Sequence, residues 1–161
     1  AIEQTRDLAR GLSPVEIEVP GLAAALEKFS VTTARLYKIS CIFVHDESVK
    51  FKREYTPELA THLYRIVQEA VNNAIQHGKA KKVVITLTAV PGRGMLTIQD
   101  DGIGFPLMAQ QKPGLGLRSM RYRGRMIGAR FQVSRGAPGG TIVSCSFPHQ
   151  NGLASEKNEK K

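Results

Sequence analysis

The segment from Thr56 to His77 constrains this chain more than any other. Thr56-Pro57-Glu58 combines a hydroxyl N-cap, a proline for the first turn and an early carboxylate, the ingredients of a helix start. Leu59, Leu63, Ile66, Val67, Ala70, Val71, Ala74 and Ile75 then recur with helical period and cover a wide arc, and His77-Gly78 closes the run. A helix with so broad an apolar face has to be covered by a second layer, and the rest of the chain must supply it.

The flanking patterns do so. Leu22, Leu26, Phe29 and Leu36 keep helical spacing, and ISCIFVH at 39–45 reads as a buried strand, succeeded by a polar loop. VVITLTAV at 83–90 and MLTIQ at 95–99 read as a hairpin with a loose loop at Pro91-Gly92-Arg93-Gly94. After a glycine-rich stretch at 101–116, Leu117, Met120, Gly124 and Ile127 mark a third helix closed by Gly128. FQVS at 131–134 and TIVSCSF at 141–147 make a second hairpin. Helices alternating with antiparallel hairpins predict an α+β two-layer sandwich on a mixed, mostly antiparallel sheet.

With 161 residues, 42% of them hydrophobic, the chain can build one core but not two. Residues 1–14 read as the end of a helix, residues 15–148 as the folded domain, and the polar residues 149–161 as a disordered tail. No apolar run approaches the ~20 residues needed to cross a bilayer, and AIEQTRDLAR lacks the layout of a signal peptide. Cys41 and Cys145 sit in strand-like apolar runs and read as buried thiols, which fits a reducing, cytoplasmic location. The net charge of +9 includes an arginine group at 118, 121, 123, 125, 130 and 135 and a lysine group at 79, 81 and 82. An anionic partner is implied, and a nucleic acid, an acidic protein face or a nucleotide polyphosphate would each satisfy the charge, as would a solvated basic surface.

Three constellations carry chemistry. Glu69, Asn73 and His77 stand at intervals of four on one edge of the central helix, where a carboxylate and an amide oxygen suit Mg²⁺. Taken singly, each is equally an ordinary residue of a solvated helix face. Asp100 ends a strand before Asp101-Gly102-Ile103-Gly104, and Phe105 to Pro113 do not read as a second strand, so the Asp-Gly pair is not a hairpin turn. A carboxylate there can accept a hydrogen bond from the exocyclic amino group of adenine, and Gly102 and Gly104 let backbone approach the ring. Gly114-Leu115-Gly116-Leu117 leads directly into a helix, whose free amides attract phosphate. Neither a dinucleotide fingerprint nor a P-loop is present.

The order and spacing of these blocks, with Gly139-Gly140-Thr141 before the last strand, resembles the ATPase fold shared by histidine kinases, DNA gyrase, Hsp90 and MutL proteins. The resemblance covers about residues 20 to 148, and HLYRIVQEAVNNAIQHGKA, DDGIGFP and GLGLRSMRYR look most like histidine kinases paired with helix-turn-helix response regulators. It implies a Bergerat-type fold and the ATP-binding catalytic domain of a sensor histidine kinase, with ATP and Mg²⁺ as cofactors. Asn73 would be the Mg²⁺ ligand and, with Glu69, the catalytic pair; Asp100 would read adenine, and Gly102 and Gly104 would shape the base pocket. Thr141 would help hold Asp100, while His77, Lys79, Gly114, Leu115, Gly116 and Leu117 would lie on the nucleotide. Asp101 stands where an asparagine is frequent in the family.

Kinases of this kind carry the acceptor histidine on a dimeric helical hairpin, and none of His45, His62, His77 or His149 has that context, so the acceptor is expected outside this chain. The implied partners are that dimerisation domain, to which 1–14 would belong, and a response regulator, with a homodimeric parent and no nucleic acid or membrane contact by this domain. An ATP-hydrolysing clamp of the gyrase or MutL kind is the rival, although only Phe105 to Pro113 separate the glycine boxes. That loop is expected to act as a mobile lid. A basic nucleic-acid-binding module would leave Glu69, Asn73 and Asp100 without a role.

Overall fold

The structure, a computed structural model, describes residues 21–46, 55–104, 114–137 and 139–149. The expected helix at 1–14, the loop 105–113 and the tail beyond 149 lie outside the described residues. Among the described residues three helices, α1 (Leu22–Tyr37), α2 (Pro57–Gln76) and α3 (Leu115–Met126), combine with five strands, β1 (Ser40–His45), β2 (Lys82–Val90), β3 (Arg93–Asp100), β4 (Arg130–Arg135) and β5 (Thr141–Pro148). The sheet runs β1-β2-β3-β5-β4, with β1 parallel to β2 and every other pair antiparallel. This is the mixed, mostly antiparallel α+β sandwich that the alternation of patterns predicts.

Each element forms for a local reason. Thr56 Oγ1 accepts from the amide of Leu59 at 3.2 Å and caps α2, with Pro57 in the first turn. At the other end the amides of His77 and Gly78 both donate to the Asn73 carbonyl at 3.0 Å, which stops the helix. Val83, Ile85 and Leu87 alternate along β2 and share one buried face of the sheet with Leu96 and Ile98 of β3 and Val143 and Cys145 of β5. That inward face shares one core with Leu26 of α1, Leu63, Ile66, Val67 and Val71 of α2, and Leu117 and Met120 of α3. Burial pushes the free thiols of Cys41 and Cys145 up to about 11, so both stay protonated and inert.

Three expectations change. The 39–45 run is not buried on both sides: among the described residues β1 is an edge strand, and Ile42 and Val44 on its outer face are 43% and 45% exposed. A short apolar run does not reveal how many of its faces are covered. The loose loop at 91–94 is a tight turn at Pro91-Gly92, because Val90 pairs with Arg93 and Ala89 with Gly94. The Phe147 ring covers Gly94 and leaves no room for a side chain there. His149, grouped with the tail by its polarity, is buried and stacked on Tyr55 at 4.7 Å, and its amide donates to Gly92.

Candidate nucleotide-binding site

Between α2, the start of α3 and the sheet lies a cavity of about 520 Å³. Glu69, Asn73 and His77 line it from one edge of α2, as their four-residue spacing requires. Asp100 and Gly104 line it from the end of β3 and the adjoining loop, Gly114, Leu115, Gly116 and Leu117 from the start of α3, and Thr141 from the start of β5. The fold therefore brings together blocks that are far apart in the chain. Its walls are apolar: Ala70, Ala74, Ile98, Met120, Val133 and Val143.

Asp100 is the polar centre of this wall, only 8% exposed. Its Oδ1 accepts from the amide of Gly102 at 2.8 Å and from that of Thr141 at 3.4 Å. Both bonds fall on one oxygen, so Oδ2 has no partner among the described residues and can accept from a ligand donor. Burial raises the carboxyl above its ordinary range, the two amides oppose that shift, and the charge of Asp101 adds to it. Gly140, at φ 87, packs directly on the Asp100 backbone carbonyl, where a Cβ would overlap it. On the other side the amide of Ile103 donates to the Gly78 carbonyl at 2.9 Å, which ties the loop to the end of α2.

Asp101 does a different job. Its Oδ1 accepts from the amides of Lys81 and Lys82, both at 2.9 Å, and these bonds hold the carboxyl below its ordinary range. It braces the start of β2 and does not line the cavity, which its charge reaches only through the Asp100 carboxyl.

Glu69 packs against Gly116, close enough that any Cβ at 116 would meet its carboxylate. The first turn of α3 has no side-chain cap at Gly114, so its amides face the cavity unclaimed by any side chain among the described residues. Further along, Arg123 of α3 reaches the Nδ1 of His62 on α2 at 3.4 Å. Two expected site residues do not line the cavity: Gly102 acts through its bond to Asp100, and Lys79 stands outside it in a left-handed conformation at φ 51. Sequence reasoning missed Asn72, which lines the cavity and whose Oδ1 is buried without a partner among the described residues. It also missed Gly78 and the apolar walls; core and pocket positions share one hydrophobic signal, and only tertiary packing separates them.

A family model described as "Histidine kinase-, DNA gyrase B-, and HSP90-like ATPase" matches residues 58–151. The Sensor protein VraS of Staphylococcus saprophyticus is 31% identical over 146 residues, 90% of this chain and 40% of that protein. The Nitrate/nitrite sensor protein NarX of Escherichia coli is 32% identical over 138 residues, 83% of this chain and 22% of that protein. The chain thus spans less than half the length of either. The histidine kinase domain of a blue-light activated histidine kinase from Erythrobacter litoralis superposes with a TM-score of 0.61 at 26% identity, covering 79% of this chain and 60% of that one. The ATP binding domain of PrrB from Mycobacterium tuberculosis shares the fold, with a TM-score of 0.61 at 21% identity, covering 78% of this chain and 92% of that one. With its blocks gathered around one cavity and more than half of its length matched, this chain belongs to the histidine kinase-, DNA gyrase B- and HSP90-like ATPase family.

Proposed function

We propose that this chain is the ATP-binding catalytic domain of a two-component sensor histidine kinase, donating the γ-phosphoryl group of Mg-ATP to a histidine on a dimerisation domain outside these 161 residues. The single observation that carries the reading is the convergence of Asn73, Asp100 and the glycines of α3 on one apolar cavity. Asp100 Oδ2 accepts from the adenine amino group, and the walls of Ile98, Met120 and Val143 enclose the ring. The open amides of the first turn of α3 receive phosphate oxygens. Among the described residues no three His, Cys, Asp or Glu groups could hold a metal by themselves. The Asn73 amide oxygen would hold Mg²⁺, which would neutralise phosphate charge when bound. Glu69, fixed against Gly116, orients the acceptor or its proton.

The relatives bear the names of sensor proteins, which supports the kinase over a hydrolytic clamp. A homodimeric parent and a response regulator partner accompany that reading, as does a cytoplasmic location for the domain. No helix among the described residues is long and apolar enough to cross a membrane.

Calorimetric titration with ATP and with GTP, each with and without Mg²⁺, tests the proposal. Mg²⁺-dependent binding of ATP in clear preference to GTP is expected, since guanine offers a carbonyl where adenine offers an amino donor. Equal affinity for GTP would remove Asp100 as the reader of the base.

A further inference from the structure

From Gly102 to Ser155 the chain contains no aspartate or glutamate, while six arginines fall at 118, 121, 123, 125, 130 and 135. The fold gathers much of this stretch at one end of the molecule, as α3, β4 and β5. Arg123 turns inward towards α2, whereas Arg121 and Arg125 stay exposed on α3. Beside them lies a second groove of about 790 Å³, floored by Ala129, Phe131 and Val133 and continued by Gln132 and Ser134 of β4.

β4 is the last strand of the sheet and pairs only with β5 among the described residues. Its outer edge carries a row of backbone N–H and C=O groups open to a further strand. Neither a bulge nor an interior proline guards the edge at Arg130–Arg135, and its charges are arginines, which repel a basic strand and attract an acidic one. An open edge, an apolar floor and an arginine rim thus lie side by side.

We propose that this groove is a docking site for an extended acidic segment of a partner protein, which joins β4 as a sixth strand and sets its carboxylates against Arg121 and Arg125. The spacing selects the ligand. Arg121 and Arg125 stand one helical turn apart, about 6 Å, and alternate residues of a strand are separated by about 6.7 Å. Acidic residues at i and i+2 therefore share one face and meet both guanidiniums. Residues at i and i+1 would point to opposite faces, and only one could reach. The groove shares just Val133 with the nucleotide cavity, so the two ligands do not compete directly. A nucleic acid would answer the charge but would leave the strand edge and the apolar floor unused.

The test uses the whole 161-residue chain and two blocked octapeptides of identical composition, one alternating threonine and glutamate, the other with glutamates in adjacent pairs. Amide chemical shifts of the labelled protein report the titration. The alternating peptide is expected to shift residues 130–135 and to bind several-fold more tightly than its isomer. The double substitution R121E/R125E, on exposed side chains, is expected to cost about tenfold in affinity and to leave ATP binding unchanged, as two exposed ion pairs imply. Equal binding of the isomers would overturn the proposal. So would shifts centred on Lys79, Lys81 and Lys82, tighter binding of a short DNA duplex at the same groove, or a R121E/R125E variant that binds like the parent.

Discussion

The carboxylate of Glu69 lies directly against Gly116, where a Cβ would have to push it aside. Two turns further along each helix, in opposite directions, Arg123 meets His62 at 3.4 Å. The helices are therefore antiparallel and held at two points, one of them at the edge of the nucleotide cavity.

Gly116→Ala should displace the Glu69 carboxylate without unfolding the domain. Alanine is the better helix former, and the long glutamate side chain can rotate away. Thermal melting should stay close to the parent, while phosphoryl transfer to a separately supplied dimerisation domain falls about tenfold to a hundredfold. Adding Glu69→Ala should bring little further loss, since both changes remove the same placement. Full additivity would separate the two residues. The chain alone, given γ-labelled ATP and Mg²⁺, should remain unlabelled; stoichiometric label at His45, His62, His77 or His149 would place the acceptor inside it.

Asp100→Asn should reduce adenine nucleotide affinity by about 1.5–3 kcal/mol, the worth of a hydrogen bond to a charged group. Circular dichroism should be unchanged, because the amide oxygen can still accept from Gly102 and Thr141. Affinity of the parent should also decline as pH falls, and should begin to do so above the ordinary carboxylate range, because burial raises this carboxyl. Protonation removes the acceptor that the amino group needs. A pH-independent affinity between neutrality and the carboxylate range would argue that another group reads the base.

Asp101 also loses its effect on acidification, but at a lower pH, and in stability rather than affinity. Its bonds to the amides of Lys81 and Lys82 hold its folded value below the unfolded one. The stabilisation is therefore complete above the ordinary carboxylate range and is lost as pH falls through the depressed value. Denaturant titrations at several pH values should show Asp101→Ala less stable than the parent at neutral pH and converging with it in acid. Asp101→Asn, which keeps an acceptor oxygen, should fall between them at neutral pH.

Thr56→Ala should cost about 1 kcal/mol through loss of the cap on the Leu59 amide. For a domain of this size the melting temperature should drop by roughly 3 °C. ATP affinity should persist, because the cap is at the far end of α2 from Asn73. A loss of binding in step with stability would mean that the two ends of the helix are coupled.

The sequence alone determined the three described helices, both ends of α2, the stop of α3 and the order of the blocks. Thr56-Pro57, Gly128 and the apolar period of 59–75 act within a few residues of themselves, so local chemistry decides them. The candidate site residues were legible through spacing: Glu69, Asn73 and His77 share an edge whatever the rest of the chain does. Only the tertiary structure decided which faces are covered and which oxygen is free. Whether Ile42 and Val44 are buried depends on neighbours distant in sequence, and so does the fate of Gly94 under Phe147. The two adjacent aspartates have the same local signal, yet Asp100, the last residue of β3, ends at the cavity and Asp101, one residue on, against the start of β2, because successive side chains of an extended chain point opposite ways. Asn72 had no signal at all. It becomes a candidate only once α2 is packed against the sheet and its amide oxygen is left buried beside the cavity.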